Sequence, residues 1–313
     1  MKLGIAFSVV SLLSLSTGSM TRWLLITFLG LAVACSKDSA KVDPAVASMD
    51  TSPPVRIVTA GGGVTETVFA LGAGDRVVGV DTSSLFPDEA AARPKVGYQR
   101  ALAAEGILSL HPTLFLGSAE AGPAAVLDQL RAAGVTVTIL PEEPSIAGLK
   151  TRIDAIAAAV GADAKPLQKK LDGDLADAAA LVAKATTHPK VVVVYARGPS
   201  MMQVFGAKTT TALMLTLAGA ESAVTEFEAS RPLTSEALAK AAPDYIVLPS
   251  RGLESLGGVD GFLAVPGVAQ TPAGKAKHVV TIDDLMLLGL GPRTGLAIQE
   301  LAKKLHPELA SPQ

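Results

Sequence analysis

Short apolar runs punctuate the chain from Arg56 onward: VRIVTA (55–60), RVVGVD (76–81), TLFLG (113–117) and VTVTIL (135–140). A second series follows in VVVVYA (191–196), DYIVLPS (244–250) and HVVTI (278–282). Runs this short, rich in valine and isoleucine, predict buried strands. Between them lie segments of helical character, such as TETVFALGA from Thr65, AAVLDQLRAAG (124–134) and TTALMLTLAGA (210–220). Strands alternating with helices predict an α/β architecture with a mainly parallel sheet.

The two series echo each other. LAAEGILSLHPTLFL (102–116) aligns with LTSEALAKAAPDYIVL (233–248), and in each a glutamate precedes a proline by seven residues, Glu105 to Pro112 and Glu236 to Pro243. Upstream, LGAGDRVVG (71–79) matches LAGAESAVT (217–225) in shape. Two similar lobes imply a cleft between them. The stretch between the halves, Ser145 to Ala185, is rich in Ala, Leu and Lys, with Gly161 as a break. Its second segment, from Asp163 to Ala185, would be roughly 35 Å long at 1.5 Å per residue. Two helices packed on one continuous sheet is the competing arrangement. The expected organisation is a signal peptide (1–35), a tether (36–54), an N-terminal α/β lobe (55–144), a helical connector (145–186) and a C-terminal α/β lobe (187–313).

Composition narrows the function. The formal net charge of the 313 residues is -2 and aromatics make up 4%, so neither a basic footprint nor stacking platforms point to nucleic acid. Hydrophobic residues reach 49%, yet after the N-terminus no apolar run attains the roughly 18 residues of a spanning helix. The N-terminus itself carries an export pattern, MTRWLLITFLGLAVAC (20–35), with Met1 or Met20 as the start. Cys35 is the one cysteine, so no internal disulfide forms. Its setting, Leu31 to Cys35, resembles a bacterial lipoprotein box with Ala32 where a larger aliphatic residue is usual, which predicts lipidation at Cys35 and a membrane-anchored protein of the periplasm or cell envelope. Ser36 to Pro54 is small, polar and proline-ended, as a tether would be.

More specific stretches carry a family resemblance. GGGVTETVFALGAGDRVVGVD (61–81), KVGYQRALAAEGILSLHPT (95–113), RPLTSEAL (231–238), PGVAQTPAGK (266–275) and IDDLMLLGLGPRT (282–294) are similar to the hemin-binding members of the substrate-binding proteins that serve iron-siderophore, cobalamin and heme ABC importers. The resemblance implies a class III periplasmic-binding-protein fold, two Rossmann-like lobes joined by a long rigid helix. It implies heme as the transported ligand, and a permease dimer with its ATPase as partners. It maps an axial iron ligand onto Tyr98. Ferric iron is hard and favours anionic oxygen, and tyrosinate is an established heme ligand. A free phenol ionises near pH 10, about 4 kcal/mol from neutrality, and the metal supplies most of that. Arg100 would bond the phenolate oxygen or stabilise its charge. Where some relatives carry a second, histidine ligand, this chain has Arg197, which cannot ligate iron; a five-coordinate iron is expected, with Arg197 and Arg231 as propionate partners. The resemblance also assigns Glu105 and Glu236, one per lobe, to docking on permease arginines; otherwise each is a helix-start carboxylate favoured by the dipole.

Other residues read as scaffold. Tyr195, Met201 and Met202 lie near the Arg197 loop, the methionines as apolar lining. Gly61 to Gly63 lack the lysine of a phosphate loop; they would let the strand turn into a helix and admit close approach of a flat ligand, with Thr65 and Glu66 at the helix start. His111, His188, His278 and His306 stand singly, which predicts surface or strand-edge positions. Asp283 and Asp284 are adjacent and would point apart. No nucleophile elbow or metalloprotease motif occurs, so no enzyme is expected. A ferric-siderophore or cobalamin carrier is the runner-up, and a secreted α/β enzyme or chelatase-like protein the alternative from another class.

Overall fold

A computed structural model describes residues 55–310. The N-terminal lobe is a four-stranded parallel sheet in the order Val77–Val80, Ile57–Ala60, Leu114–Gly117, Thr136–Ile139. The apolar runs divide by alternation. Ile57 joins Val64, Val68 and Leu116 in one core, while Val58 and Ala60 join Phe115, Ile107 and Leu130 in another. Both faces are thus covered, as parallel strands require. Helix Gly62–Ala70 returns the chain after the first strand, and helix Ala124–Ala132 after the third.

The C-terminal lobe repeats this logic. In the strand Lys190–Ala196, Val191 and Val193 face one cluster, and Val192, Val194 and Ala196 face the other. Its sheet runs Ser230–Pro232, Met202–Phe205, Lys190–Ala196, Tyr245–Pro249, Val279–Ile282. The first two of these pair antiparallel, as does Met202–Phe205 with Lys190–Ala196. Met202 therefore sits in a hairpin strand rather than in a loop.

Helix Ile146–Val160 is capped by Ser145, whose Oγ accepts from the Gly148 amide at 2.9 Å, and it ends at Gly161 with φ 66°. The break at Gly161 is the left-handed turn that glycine adopts freely. A second helix follows, Lys165–Val182, with Pro166 in its first turn. Its 18 residues span about 27 Å, shorter than expected because the helix begins at Lys165 rather than Asp163 and ends at Val182, before a turn at 183–184. The first helix is shared between the lobes: Ile156 and Val160 belong to the N-terminal core, Leu149 and Ile153 to that of the C-terminal lobe. The second packs Leu171 and Ala178 with Ala297, Ile298 and Leu301 of the helix Thr294–Leu305.

Between Asp284 and Arg293 the chain passes beside the helix Gly62–Ala70. A Cβ at Gly62 would lie 2.2 Å from the Leu285 side chain, and one at Gly63 2.4 Å from the Gly289 carbonyl oxygen. Gly63 thus admits backbone of the other lobe and Gly62 the Leu285 side chain, while Gly61 to Gly63 also line the cleft between the lobes. That helix starts at Gly62, three residues before Thr65, without a side-chain cap; Thr65 lies inside it, hydrogen-bonded to Thr59 and Ser84. One histidine also departs from expectation. His306 is fully buried, its Nε2 3.0 Å from the Ala218 carbonyl and its Nδ1 3.1 Å from Thr187 Oγ1.

Candidate binding cleft between the lobes

The carboxyl ends of the parallel strands open on a common cleft, as doubly wound sheets present their ligand sites. Its volume is about 780 Å³, within the range of small-molecule and cofactor sites. Gly61, Ser118 and Glu120 follow N-terminal strands; Arg197, Arg251 and Asp284 follow C-terminal ones.

Tyr98 stands on a two-residue hairpin, Gly97–Tyr98 paired with Ala101–Leu102. Gly97 has φ 99°, a conformation that strains other residues. The hairpin is pinned on both sides. The Thr82 amide donates to the Gly97 carbonyl and the Gly122 amide to that of Gln99, each at 2.9 Å. Behind Thr82, fully buried Asp81 accepts from the Gly61 and Ser83 amides and from the Ser83 and Ser84 hydroxyls. The result is a fixed backbone at a residue 43% exposed, which lines the cleft. Among the described residues no group hydrogen-bonds the Tyr98 hydroxyl.

Arg100 does not bond that hydroxyl either. Its Nε donates to Glu120 Oε2 at 3.0 Å and its Nη2 to Oε1, so its fork is occupied and only its charge acts on Tyr98. The pair is exposed, and worth less than about 1 kcal/mol to the fold; its role is to orient the side chain.

From the other lobe Tyr195 lines the cleft half-buried. Desolvation pushes its phenol up, against the pull of Arg197, whose guanidinium lies 4.9 Å from the ring centre. Arg197 is also 3.5 Å from Asp284 Oδ2. Asp284 is buried; Oδ1 accepts from the Arg251 amide at 3.1 Å, while Oδ2 has no hydrogen-bond partner. Asp283 turns away, capping the helix Asp284–Leu288 through the Met286 amide. Deeper in the cleft, Arg152 of the shared helix donates to the Gly289 and Leu290 carbonyls. Desolvation raises the Glu142 carboxyl on this wall, opposed by the Arg152 charge.

Tyr98, Arg100 and Arg197 are therefore brought together. Arg231 is not: it is outside the cleft lining, with its guanidinium over the Phe227 ring at 4.6 Å. Strand alternation explains this, since its neighbour Ser230 takes the cleft-facing side. Glu105 and Glu236 are exposed in the first turns of the helices Ala104–Leu108 and Ser235–Ala241, away from the cleft lining. Cys35 lies outside the described residues. Sequence reasoning missed Arg251, Glu120, Asp284 and Arg152; only Arg152 carried a signal, as a charge on the apolar stripe Leu149, Ile153, Ile156. Among the described residues no three His, Cys, Asp or Glu side chains converge to hold a metal ion.

The family model for periplasmic binding proteins matches residues 57–285, from the first strand of the N-terminal sheet past the strand Val279–Ile282. The chain belongs to the periplasmic binding protein family. Among curated members of known sequence, it is 30% identical over 267 residues to an uncharacterized ABC transporter substrate-binding lipoprotein, YvrC of Bacillus subtilis, covering 82% of this chain and 81% of that one. Solved binding proteins superpose closely. The periplasmic heme-binding protein RhuT from Roseiflexus sp. RS-1, in apo form, matches with a TM-score of 0.79 at 40% identity, over 82% of this chain and all of that one. The periplasmic heme-binding protein BhuT, in complex with two hemes, matches with a TM-score of 0.76 at 41% identity, over 81% and 98% of the two chains.

Proposed function

We propose that this periplasmic binding protein captures heme in the cleft between its lobes and delivers it to an ABC-transporter permease. The observation that carries the reading is Tyr98: a phenol on a doubly pinned hairpin, without a hydrogen-bond partner among the described residues, directed into a cleft of cofactor size. The likeness to two heme-binding proteins at 40% and 41% identity supports it. Ferric iron approached from the N-terminal lobe takes the Tyr98 oxygen as an anionic axial ligand. Arg100, held by Glu120, stabilises that anion through its charge, and Arg197 faces the ligand from the opposite wall. The family's relatives are carriers, and this protein acts as one rather than as a catalyst.

Two further assignments complete the proposal. Glu105 and Glu236, exposed on equivalent helices of the two lobes, are the contacts for cationic side chains of the permease dimer. Cys35 is the lipidated residue that holds the protein to the membrane outside the cytoplasm. An absorption titration tests the ligand. Added hemin is expected to produce a saturable, shifted Soret band at one-to-one or higher stoichiometry, undisturbed by excess cobalamin or ferric siderophore. Saturation by cobalamin or a siderophore, with no hemin band, would replace heme as the cargo.

A further inference from the structure

Five cationic and four acidic side chains line the cleft. Four of the cations are already engaged. Arg100 is bonded to Glu120 and Lys208 meets Glu228 at 2.6 Å; Arg197 is charge-paired with Asp284 at 3.5 Å, without a hydrogen bond. Arg152 is buried, faced by Glu142 and spent on two backbone carbonyls. Arg251 is the remaining one. Its amide donates to Asp284, but its guanidinium has neither an acidic partner nor a hydrogen-bond acceptor among the described residues, and the residue is exposed. The wall thus holds one uncompensated positive charge, on a side chain with five donors in a planar fork.

We infer that Arg251 is the carboxylate anchor of the cleft, taking one propionate of the bound porphyrin in bidentate fashion. The inference rests on the heme reading and assigns a residue within it. Its physical basis is competition. A propionate approaching Arg100 or Lys208 must displace a protein carboxylate, and at Arg197 it meets the buried charge of Asp284. At Arg251 it displaces only water. Guanidinium and carboxylate geometries match there without rearrangement. Arg251 also follows the strand Tyr245–Pro249 directly, on the first turn of the helix Ser250–Glu254, so its backbone is fixed by the sheet and by the bond to Asp284.

The test compares hemin with hemin dimethyl ester, which keeps the iron and ring and lacks the carboxylates. Arg251→Gln is expected to weaken hemin binding about 10- to 100-fold, the range of a charge-assisted pair, and to leave ester binding within about twofold. Arg251→Lys, which retains the charge without the fork, should fall between, and Arg231→Gln should match the unaltered protein for both ligands. Equal weakening of hemin and ester by Arg251→Gln, or no weakening of either, would overturn the assignment while the Soret band of the unaltered protein upholds the heme reading. Failure of the unaltered protein to bind hemin at all would overturn both.

Discussion

Arg293 clasps Glu66 across 227 residues of chain, Nε and Nη2 lying 2.9 and 3.0 Å from the two carboxylate oxygens. Glu66 sits on the first helix of the N-terminal lobe, nearly buried at 4% exposure. Arg293 immediately precedes the helix Thr294–Leu305, and its guanidinium lies 3.6 Å from the Phe86 ring centre. The pair ties the lobes together behind the cleft. Removing one partner strands the other charge out of water, so Arg293→Ala should destabilise the protein by about 3–5 kcal/mol. Chemical denaturation would read this as a shifted midpoint. The double change Glu66→Gln with Arg293→Met should recover much of the loss, because no buried charge is left alone.

The same junction requires a missing side chain. Gly63→Ala places a methyl 2.4 Å from the Gly289 carbonyl oxygen, against backbone that cannot rotate away. The expected cost is about 1–3 kcal/mol, visible as a lowered thermal midpoint. Gly173→Ala, which meets nothing within 4 Å on an exposed helix face, should be neutral or slightly stabilising by about 0.5–1 kcal/mol.

Acid sensitivity has a named contributor. Glu308 is held down to about 2 from its ordinary 4.5, by its own backbone amide and that of Thr186, with the Thr186 and Thr187 hydroxyls adding to this. Its folded pKa is the lower one, so its contribution to stability is present above pH 4.5 and is lost as pH falls toward 2. Stability measured across that window should decline less steeply in Glu308→Gln than in the unaltered protein.

The strands and helices were legible because each depends on neighbouring residues. Valines at 191 to 194 announce a strand covered on both faces, and Gly161 announces a helix end. The motif around Tyr98 singled out a residue that stands on the cleft wall; its bond to iron is the proposal. What the sequence did not disclose depends on distant pairings. Nothing near Glu66 indicates that its partner is Arg293, and nothing near Arg100 indicates that Glu120 occupies its fork. Arg251 and Arg231 look alike in sequence; a strand register turns one away from the cleft, and a strand end delivers the other to it. His306 reads as a terminal surface residue until the last helix folds it under Ala218.

Docking separates from ligand capture. Glu105→Ala and Glu236→Ala, both outside the cleft, should leave the hemin titration unchanged. With the permease and ATPase in vesicles, the double variant should lose most of the binding-protein-dependent stimulation of ATP hydrolysis. A hemin affinity altered more than about twofold, against a pair contribution of this size, would place those residues in the cleft instead.

The most direct measurement is the absorption spectrum of the purified protein with ferric hemin, alongside Tyr98→Phe. The unaltered protein should show the charge-transfer bands of an iron–phenolate bond and a saturable Soret shift, both lost in the variant. An identical spectrum and affinity once that oxygen is gone would contradict the account.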